Sequence, residues 1–232
     1  MDFDKELEKL NIVLTKEMAN KFNDYYETLI EVNSYMNLTA ITEHDDVYIK
    51  HFLDSLSINL AYSFDKKTTL CDVGSGAGFP SIPLAIVNDN VDVTIIDALN
   101  KRINFLNDLS NKLSLNNVKA YHKRAEDYAK EKREFFDVVT ARAVARLNVL
   151  AELCLPLVKI GGYFIAMKGQ SALDELDEAK HAIEILGGKI SKVLEFDLPC
   201  EAGHREIIVI EKVKATNNKY PRSFAKIKER PL

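Results

Sequence analysis

Cysteine is scarce in this chain, and its residues follow no recognised pattern. Cys71, Cys154 and Cys200 lie far apart, and no two of them have the C-x-x-C spacing of zinc and redox motifs. Scattered thiols in odd number argue against both a disulfide framework and a zinc site, so no metal is expected. Cys71 and Cys154 lie in apolar runs, and we expect both to be buried in a core, as free cysteines usually are.

Long apolar runs and a targeting segment are also missing. The longest apolar runs are interrupted within about ten residues, which is too short for a helix that crosses a bilayer. The acidic sequence Met1–Glu6 lacks the charged and then apolar order of a signal peptide. We therefore expect a cytoplasmic protein, and the 232 residues suit one compact unit with a terminal extension.

Excess positive charge is absent, since the formal net charge is −4. This balance argues against a protein that coats nucleic acid without specificity. The charge is nevertheless uneven, because residues 212–232 hold one acidic residue, Glu229, and seven basic ones: Lys212, Lys214, Lys219, Arg222, Lys226, Lys228 and Arg230. Two interpretations of this tail stay open: contact with phosphate, or a solvated and partly disordered terminus.

Two parts of the chain differ in the spacing of their apolar residues. In residues 1–62 the spacing is helical and predicts two helices within 4–32, broken near Val13–Thr15, and a third from Asp45 to about Ala61. In residues 63–232, short runs rich in Val, Ile and aromatic residues predict strands at 69–73, 91–97, 118–121, 136–141, 163–167, 189–196 and 206–211. Helices are predicted between them at 80–87, 100–115, 147–157 and 172–186, the last two stopped by Gly161–Gly162 and Gly187–Gly188.

This alternation predicts an α/β fold with a seven-stranded, mostly parallel sheet and helices on both faces. The last two strands are joined by a loop with no room for a crossover helix, so they should pair antiparallel. We therefore divide the chain into an N-terminal helical extension, residues 1–62, and an α/β domain, residues 63–232.

The first strand of the α/β domain leads directly into a glycine turn, Asp72–Pro80. Alternate glycines let the main chain approach a ligand where a Cβ would collide, and some of them can adopt positive φ. A dinucleotide fingerprint would need a glycine at position 79, where this chain has Phe. The D-x-G-x-G-x-G pattern resembles motif I of the class I S-adenosylmethionine-dependent methyltransferases. Its candidate cofactor-binding residues are Asp72, Gly74, Gly76 and Gly78.

The ends of the second and third strands supply further candidate cofactor contacts, because an open α/β sheet binds its ligand at the carboxyl ends of its strands. The second strand ends at Asp97, whose carboxylate suits ribose hydroxyls. The alternative is a cap for the helix that starts near Asn100. The third strand leads to Ala125 and Glu126, a small residue and an acid that suit an adenine ring. The alternative there is the first turn of a short helix.

The fourth and fifth strands end in cations, Arg142 and Lys168, and the loop before the last strand adds His204 and Arg205. The Asn/Asp-Pro-Pro-aromatic element of amine methyltransferases is missing. Cys200 follows the sixth strand, which argues against the cysteine nucleophile of enzymes that make 5-methylcytosine. Arginine has forked donors that fit a phosphate or a guanine edge.

We interpret Arg142, Lys168 and Arg205 as catalytic residues that position the methyl acceptor. A surface lysine is the alternative for Lys168, and a structural or solvated histidine is the favoured interpretation of His204. The lack of an obvious general base is informative, because in-line methyl transfer from a sulfonium depends mainly on alignment and electrostatics. A ring nitrogen with a free lone pair, such as guanine N7, carries no proton to remove.

Seven motifs spread over nearly the whole chain are similar to those of the RsmG family, also called GidB: Asn37–Ile41, His51–Ser55, Asp72–Pro80, Asn100–Arg102, Arg124–Glu126, Thr140–Ala145 and Lys219–Arg222. The resemblance implies a class I, Rossmann-like methyltransferase fold and a bacterial enzyme that uses S-adenosylmethionine. Its expected substrate is guanine N7 in the 530 loop of 16S rRNA, as free RNA or in the 30S particle. A monomer is expected.

The resemblance also implies roles for individual residues. Cofactor contacts in the family fall on positions that match Gly74, Phe79, Ala125, Glu126 and Arg142. One departure is Met36, where many members have Trp. We interpret His51 and Asp54 as packing and capping groups that close the cofactor site.

Two other classes of function stay open. A small-molecule methyltransferase would share the cofactor half, but it would not need the basic tail or the clustered arginines. A non-catalytic RNA-binding or assembly factor would retain only a vestigial site. The intact glycine motif, Asp97 and Arg142 argue against this loss.

Overall fold

The computed structural model describes residues 1–170 and 172–232, with their side chains except those of residues 172 and 173. Every predicted strand is confirmed within these ranges. The strands are β1 (Thr68–Val73), β2 (Val91–Asp97), β3 (Val118–His122), β4 (Phe136–Arg142), β5 (Val158–Gly169), β6 (Gly188–Asp197) and β7 (His204–Lys212).

From β1 to β6 the helices alternate with the strands along the chain, as expected for an α/β fold. They are α1 (Phe3–Glu8), α2 (Lys16–Met36), α3 (His44–Val47), α4 (Asp54–Leu56), α5 (Ser81–Val87), α6 (Asn100–Lys112), α7 (Ala125–Glu131), α8 (Leu147–Cys154), α9 (Ala172–Ile185) and α10 (Phe224–Glu229). A π-helical turn, Tyr48–Leu53, joins α3 to α4, and a 3-10 turn, Ser57–Leu60, follows. The predicted third helix is therefore one helical stretch with an irregular centre.

One mixed sheet has the strand order β3-β2-β1-β4-β5-β7-β6. β1 pairs in parallel with both β2 and β4, and β4 pairs in parallel with β5. β7 lies between β5 and β6 and is antiparallel to both, which confirms the predicted pairing of the last two strands. The strand order reverses between β1 and β4, and this is the position at which an open α/β sheet forms a ligand crevice.

The prediction that Gly161–Gly162 stops a helix is wrong. Both glycines lie inside β5, which begins at Val158, and α8 already ends at Cys154. Pro156 explains the early end, because it lies in a 3-10 turn where a longer α-helix would lose a backbone donor. A Cβ on Gly162 would lie 2.6 Å from the carbonyl oxygen of Asp137, so this glycine permits close approach of β4 and β5.

The N-terminal helices share one core with the sheet. Phe22 and Leu29 of α2 are fully buried in the same apolar cluster as Val93 of β2 and Ile165 of β5. The observed break between α1 and α2 includes the predicted Val13–Thr15. No helix in the described ranges is both long and apolar enough to span a membrane.

The basic tail is ordered, so the interpretation as a disordered terminus is wrong. Lys212 is fully buried and donates hydrogen bonds to the carbonyls of Leu155 and Val158. Arg222 binds the carboxylate of Glu152, which is fully buried. Two of the seven basic residues of the tail therefore have structural roles, while Lys214, Lys219, Lys226, Lys228 and Arg230 are exposed.

Candidate active site

The glycine turn between β1 and α5 depends on left-handed backbone. Gly74, Gly76 and Gly78 have φ angles of +76°, +62° and +105°, which residues with a Cβ rarely adopt. A Cβ on Gly78 would lie 2.6 Å from Cγ1 of Ile82 and 2.9 Å from the hydroxyl of Tyr25. A Cβ on Gly76 would meet no heavy atom of the described residues within 4 Å. Gly78 is therefore required for packing, whereas Gly76 faces open space.

Helix α2 holds the glycine turn from the N-terminal side. The hydroxyl of Tyr25 donates a hydrogen bond to the carbonyl of Ala77 at 2.6 Å, and its ring stacks with Phe79 at a centroid distance of 5.4 Å. Phe79 also stacks with His51 at 4.4 Å. The side chain of Phe79 is only 4% exposed, so it belongs to an aromatic cluster, and its contact with a cofactor stays a prediction.

Asp72 is fully buried near the carboxyl end of β1. Among the described residues, neither of its carboxylate oxygens nor the hydroxyls of Ser75 and Ser81 form a hydrogen bond of standard distance and angle, although Ser81 lies close enough to affect the pKa of Asp72. Burial raises the pKa of Asp72 to about 7, while nearby Ser81 and Arg142 limit the rise. Buried polar groups without partners are rare. This cluster would therefore be stabilised by the polar atoms of a ligand.

A cavity of about 150 Å³, which we call the nucleoside cavity, lies at the carboxyl ends of β1, β2 and β3. It brings together four of the predicted cofactor-binding residues: Gly74, Asp97, Ala125 and Glu126. The carboxylate of Asp97 also accepts hydrogen bonds from the backbone of Leu99 at 2.8 Å and from Arg102 at 3.3 Å. α7 begins at Ala125. The alternative of a first helical turn is thus confirmed for Ala125 and Glu126, whereas α6 has no side-chain cap, so Asp97 holds Leu99 and Arg102 without capping the helix.

A second cavity of about 420 Å³, the acceptor cavity, lies at the same edge of the sheet. All three predicted acceptor-positioning residues line it: Arg142, Lys168 and Arg205. Ala143 lines this cavity and Val144 lines the nucleoside cavity, so this dipeptide lies between the two. Ala143 has a φ of +56°, and a Cβ on Gly74 would lie 3.0 Å from Cγ2 of Val144. The segment after β4 is therefore strained and packed directly on the glycine turn.

Asp54 joins the two arginines of the acceptor cavity. Its Oδ2 accepts a hydrogen bond from Nη1 of Arg142 at 2.9 Å, and its Oδ1 accepts one from Nε of Arg205 at 3.0 Å. The Asp54 side chain is 8% exposed. The predicted capping role of Asp54 is wrong, because α4 has no side-chain cap and both oxygens face the arginines.

Lys168 is paired in a similar way. Its ammonium lies 2.8 Å from Oε2 of Glu175 and donates to the carbonyl of Ala145 at 2.9 Å. The same Glu175 oxygen accepts a hydrogen bond from the backbone N–H of Leu147 at 2.7 Å. Lys168 is therefore not the surface lysine of the alternative interpretation, since its side chain is 11% exposed and lines the acceptor cavity.

His51 is a packing group, as predicted, and it is held in the neutral form. Burial and then the charge of Arg142 lower the pKa of His51 to about 3. Its Nδ1 lies 3.3 Å from Nη2 of Arg142, which can only donate, and its Nε2 lies 2.8 Å from the hydroxyl of Thr39. Its Nδ1 also lies 3.2 Å from the carbonyl oxygen of Lys50, so both ring nitrogens are held by the surrounding polar groups.

Other predicted residues lie apart from both cavities. His204 pairs with Asp197 at 2.9 Å, and this hydrogen bond raises its pKa, in agreement with the structural interpretation. Cys200 is exposed, whereas Cys71 and Cys154 are buried as predicted.

The sequence reasoning missed three functional features of the site: the arginine-binding role of Asp54, the pairing of Glu175 with Lys168, and the position of Val144 between the cavities. One signal was available for the first of them. Asp54 is an acidic residue next to Phe52 and Leu53 in an otherwise apolar run, and a buried carboxylate needs a cationic partner.

The residues at the glycine turn fit S-adenosylmethionine in chemical terms. Gly76 leaves open space, the carboxylate of Asp72 lacks a partner among the described residues, and Asp97 and Glu126 offer carboxylates beside an apolar wall. These groups suit a ligand that carries a cationic amine, ribose hydroxyls and an adenine ring.

The fold is that of the class I methyltransferases. The chain is similar to the precorrin-6y C5,15-methyltransferase of Geobacter metallireducens GS-15, with a TM-score of 0.53 and 15% identity over 69% of this chain and 86% of the other. It is also similar to a SAM-dependent methyltransferase from Aquifex aeolicus, with a TM-score of 0.50 and 19% identity over 68% of this chain and 89% of the other. These identities establish the fold alone.

Sequence similarity then establishes the family. The family model of GidB, the rRNA small subunit methyltransferase G, matches residues 18–207. A ribosomal RNA small subunit methyltransferase G of Bacillus cereus (strain B4264) is 53% identical over 222 residues, which cover 95% of this chain and 93% of the relative. The chain belongs to the GidB family of rRNA methyltransferases, and membership implies S-adenosylmethionine as its cofactor.

Proposed function

We propose that this chain transfers the methyl group of S-adenosylmethionine to N7 of a guanine in the 530 loop of bacterial 16S rRNA. The observation that carries the proposal is the convergence of Arg142, Lys168 and Arg205 on one cavity beside the glycine turn. Family membership supports small-subunit rRNA as the substrate. We further propose that the chain acts in the cytoplasm as a monomer.

The cofactor supplies an electrophilic methyl group on a sulfonium, and the chain provides its binding groups. We assign this role to the residues around the glycine turn and the nucleoside cavity: Asp72, Gly74, Gly76, Gly78, Phe79, Asp97, Ala125, Glu126 and Arg142. Ionised Asp72 would favour a cationic group nearby, and Asp97 would accept hydrogen bonds from hydroxyls.

The acceptor cavity offers hydrogen-bond donors that can bind a base. Asp54 is shared by Arg142 and Arg205, and Glu175 pairs with Lys168, so two carboxylates hold three cations in place and offset part of their charge. Among the described residues Arg142 donates to three acceptors, fewer than its five N–H groups. An arginine fork of this kind can bind a guanine edge.

The described residues of the acceptor cavity do not include a group suited to remove a proton, and this supports guanine N7 as acceptor. His51 is neutral, but its Nδ1 faces the guanidinium of Arg142. In the described lining of the acceptor cavity, Asp54 and Glu175 are both held by cations. Alignment and electrostatic stabilisation therefore account for the chemistry that these residues can perform.

The test is methyl transfer from labelled S-adenosylmethionine to naked 16S RNA, to assembled 30S particles lacking the modification, and to a panel of small molecules. We expect label in the RNA, at a guanine of the 530 loop when the product is mapped. Label confined to a small molecule, or no label in either form of RNA, contradicts the proposal.

Two variants make this test specific to the acceptor cavity. Arg142→Ala should abolish transfer without unfolding the chain, and Arg142→Lys should recover little, because lysine lacks the planar fork. Lys67→Ala is the matched control, since Lys67 is exposed next to the amino end of β1, at the opposite edge of the sheet. Full activity of Arg142→Ala would remove Arg142 from the site.

A further inference from the structure

Phe224 lines the nucleoside cavity although it comes from the far end of the chain. The other described residues of the lining lie between Val73 and Leu153, on the strand ends and on α8, whereas Phe224 is the first residue of α10. Phe224 is also the only aromatic residue in this described lining. Its side chain is 36% exposed, which leaves part of the ring available for contact.

The segment that carries Phe224 is fixed on both sides. Two residues earlier, the guanidinium of Arg222 binds both carboxylate oxygens of buried Glu152, at 2.9 Å from Nε and 2.6 Å from Nη2. Three residues later, Ile227 is fully buried. Arg133 adds a hydrogen bond to the carbonyl of Tyr220 at 2.9 Å. A half-exposed aromatic ring is thus held over the cavity by a rigid segment.

We propose that Phe224 forms a wall of the cofactor's nucleoside site and packs against the adenine ring. This inference rests on the proposed function, because it takes S-adenosylmethionine as the ligand. The role of α10 is then to complete a site whose other walls come from the strand ends, α7 and α8. Pre-ordering of the ring lowers the entropy cost of binding, since no loop has to close over the base.

The chemistry of the cavity suits the cofactor's base. Its lining holds two carboxylates, Asp97 and Glu126, and two cations, Lys123 and Arg124, so the charges balance and both donors and acceptors are available to a neutral ligand. Val73 and Ile96 of the sheet and Leu153 of α8 provide apolar surface. A flat, neutral and aromatic group with polar edges fits between such a surface and a phenyl ring.

Binding of cofactor-like ligands tests this wall without the need for catalysis. The probes are S-adenosylhomocysteine and 5′-methylthioadenosine, which share the adenosine group but differ in the amino-acid part, and the method is isothermal titration calorimetry on the full chain. Phe224→Ala should weaken both probes by about tenfold, because base–aromatic stacking has roughly that effect. Phe224→Tyr keeps the ring and should stay within about twofold of the parent protein.

The control is Phe135→Ala, since Phe135 is 50% exposed but does not line the cavity. It should leave both affinities unchanged, and circular dichroism confirms the fold of each variant. Should Phe224→Ala fail to fold, Phe224→Leu replaces it, with weakening of both probes again expected. Unchanged affinity of the substituted protein for both probes, or weakening confined to S-adenosylhomocysteine, overturns the inference.

The failure of this inference can be distinguished from the failure of the proposed function. If the parent protein binds both probes and Phe224→Ala loses affinity for both, the wall is established even when no methyl group enters 16S RNA. If the parent protein transfers methyl groups to 16S RNA and Phe224→Ala binds both probes normally, the wall is wrong and the function stands. If the parent protein binds neither probe, both are wrong.

Discussion

Oδ2 of Asp54 lies 2.9 Å from Nη1 of Arg142, although the two residues are 88 positions apart in the chain. This ion pair connects the N-terminal helices to the end of β4, and the other oxygen of Asp54 extends it to Arg205 in β7. Three separate segments thus depend on one carboxylate for the geometry of the acceptor cavity.

Asp54→Asn should impair catalysis more than cofactor binding. The amide places an N–H group against donor-only guanidinium groups, so Arg142 and Arg205 lose their common anchor. We expect kcat/KM for RNA methylation to fall about 100-fold, the effect of misplaced positioning groups. The free energy of unfolding should fall by about 2 kcal/mol, as for a lost hydrogen bond to a charged group.

Asp89→Asn is the matched control, because Asp89 is exposed in the turn between α5 and β2. This control should change neither kcat/KM for RNA methylation nor the free energy of unfolding. Steady-state kinetics and urea denaturation measure both effects. Full activity of Asp54→Asn would show that the arginines hold their positions without it.

Asp72 should make stability depend on pH. Burial raises its folded-state pKa from 3.8 to about 7, so the folded chain binds this proton more tightly than the unfolded chain does. The resulting contribution of Asp72 to the free energy of unfolding is fully present below the unfolded-state pKa and is lost as the pH rises through about 7. Asp72→Asn removes the titration, and its stability relative to the parent protein should increase by on the order of 3 kcal/mol from about pH 4 to about pH 8.

Urea denaturation across this pH range checks the prediction, with exposed Asp89→Asn as a titration control. A constant difference between Asp72→Asn and the parent protein would mean that Asp72 titrates normally. Asp72→Asn should also lose affinity for S-adenosylhomocysteine.

Gly78→Ala and Gly76→Ala should separate folding from binding. A Cβ at Gly78 collides with Ile82 and Tyr25, so we expect a loss of about 3 kcal/mol in the free energy of unfolding. Gly76 has open space but a φ of +62°, so its substitution should cost only about 1 kcal/mol. The methyl group of Gly76→Ala would project beside the turn and should abolish binding of S-adenosylhomocysteine. Equal stability of the two variants is the contrary result.

The exposed cations of the C-terminal segment should add a salt-dependent contribution to RNA binding. The slope of log affinity against log salt is negative for RNA binding. Replacing Lys226, Lys228 and Arg230 together by Gln should make this slope less steep by about 2 to 3. Replacement of the exposed Lys66, Lys67 and Lys189 at the opposite edge is the matched control and should leave the slope unchanged. Filter binding of a 16S RNA fragment at several salt concentrations gives both slopes, and identical slopes would exclude a phosphate contact by α10.

The fold could be predicted because its signals are local. The alternation of short Val- and Ile-rich runs with helical stretches identified every strand, and loop length alone predicted the antiparallel end of the sheet. The prediction of a helix stop at Gly161–Gly162 was wrong because the same dipeptide suits both a helix stop and a close contact between strands. Only the position of Asp137 on the neighbouring strand distinguishes them.

The position of the site could be predicted, but the carboxylate partners of its cations could not. Strand ends placed Arg142, Lys168 and Arg205 at one edge of the sheet, which the acceptor cavity confirms. Their partner Asp54 comes from α4, before the first strand, and Glu175 comes from α9, between β5 and β6, and no local pattern reveals such contacts. The same applies to Lys212, whose charge suggested exposure but which is buried against the carbonyl of Leu155.

The place of β7 between β5 and β6 has a consequence for the newly synthesised chain. Arg205 pairs with Gly169 across β5 and β7, so the acceptor cavity lacks this wall until the last strand has left the ribosome. The glycine turn and the ends of β2 and β4 are made earlier. A nascent chain therefore holds Arg142 and Lys168 before it has Arg205, and Phe224 of the nucleoside cavity is made later still, so both cavities are completed only by the last part of the chain.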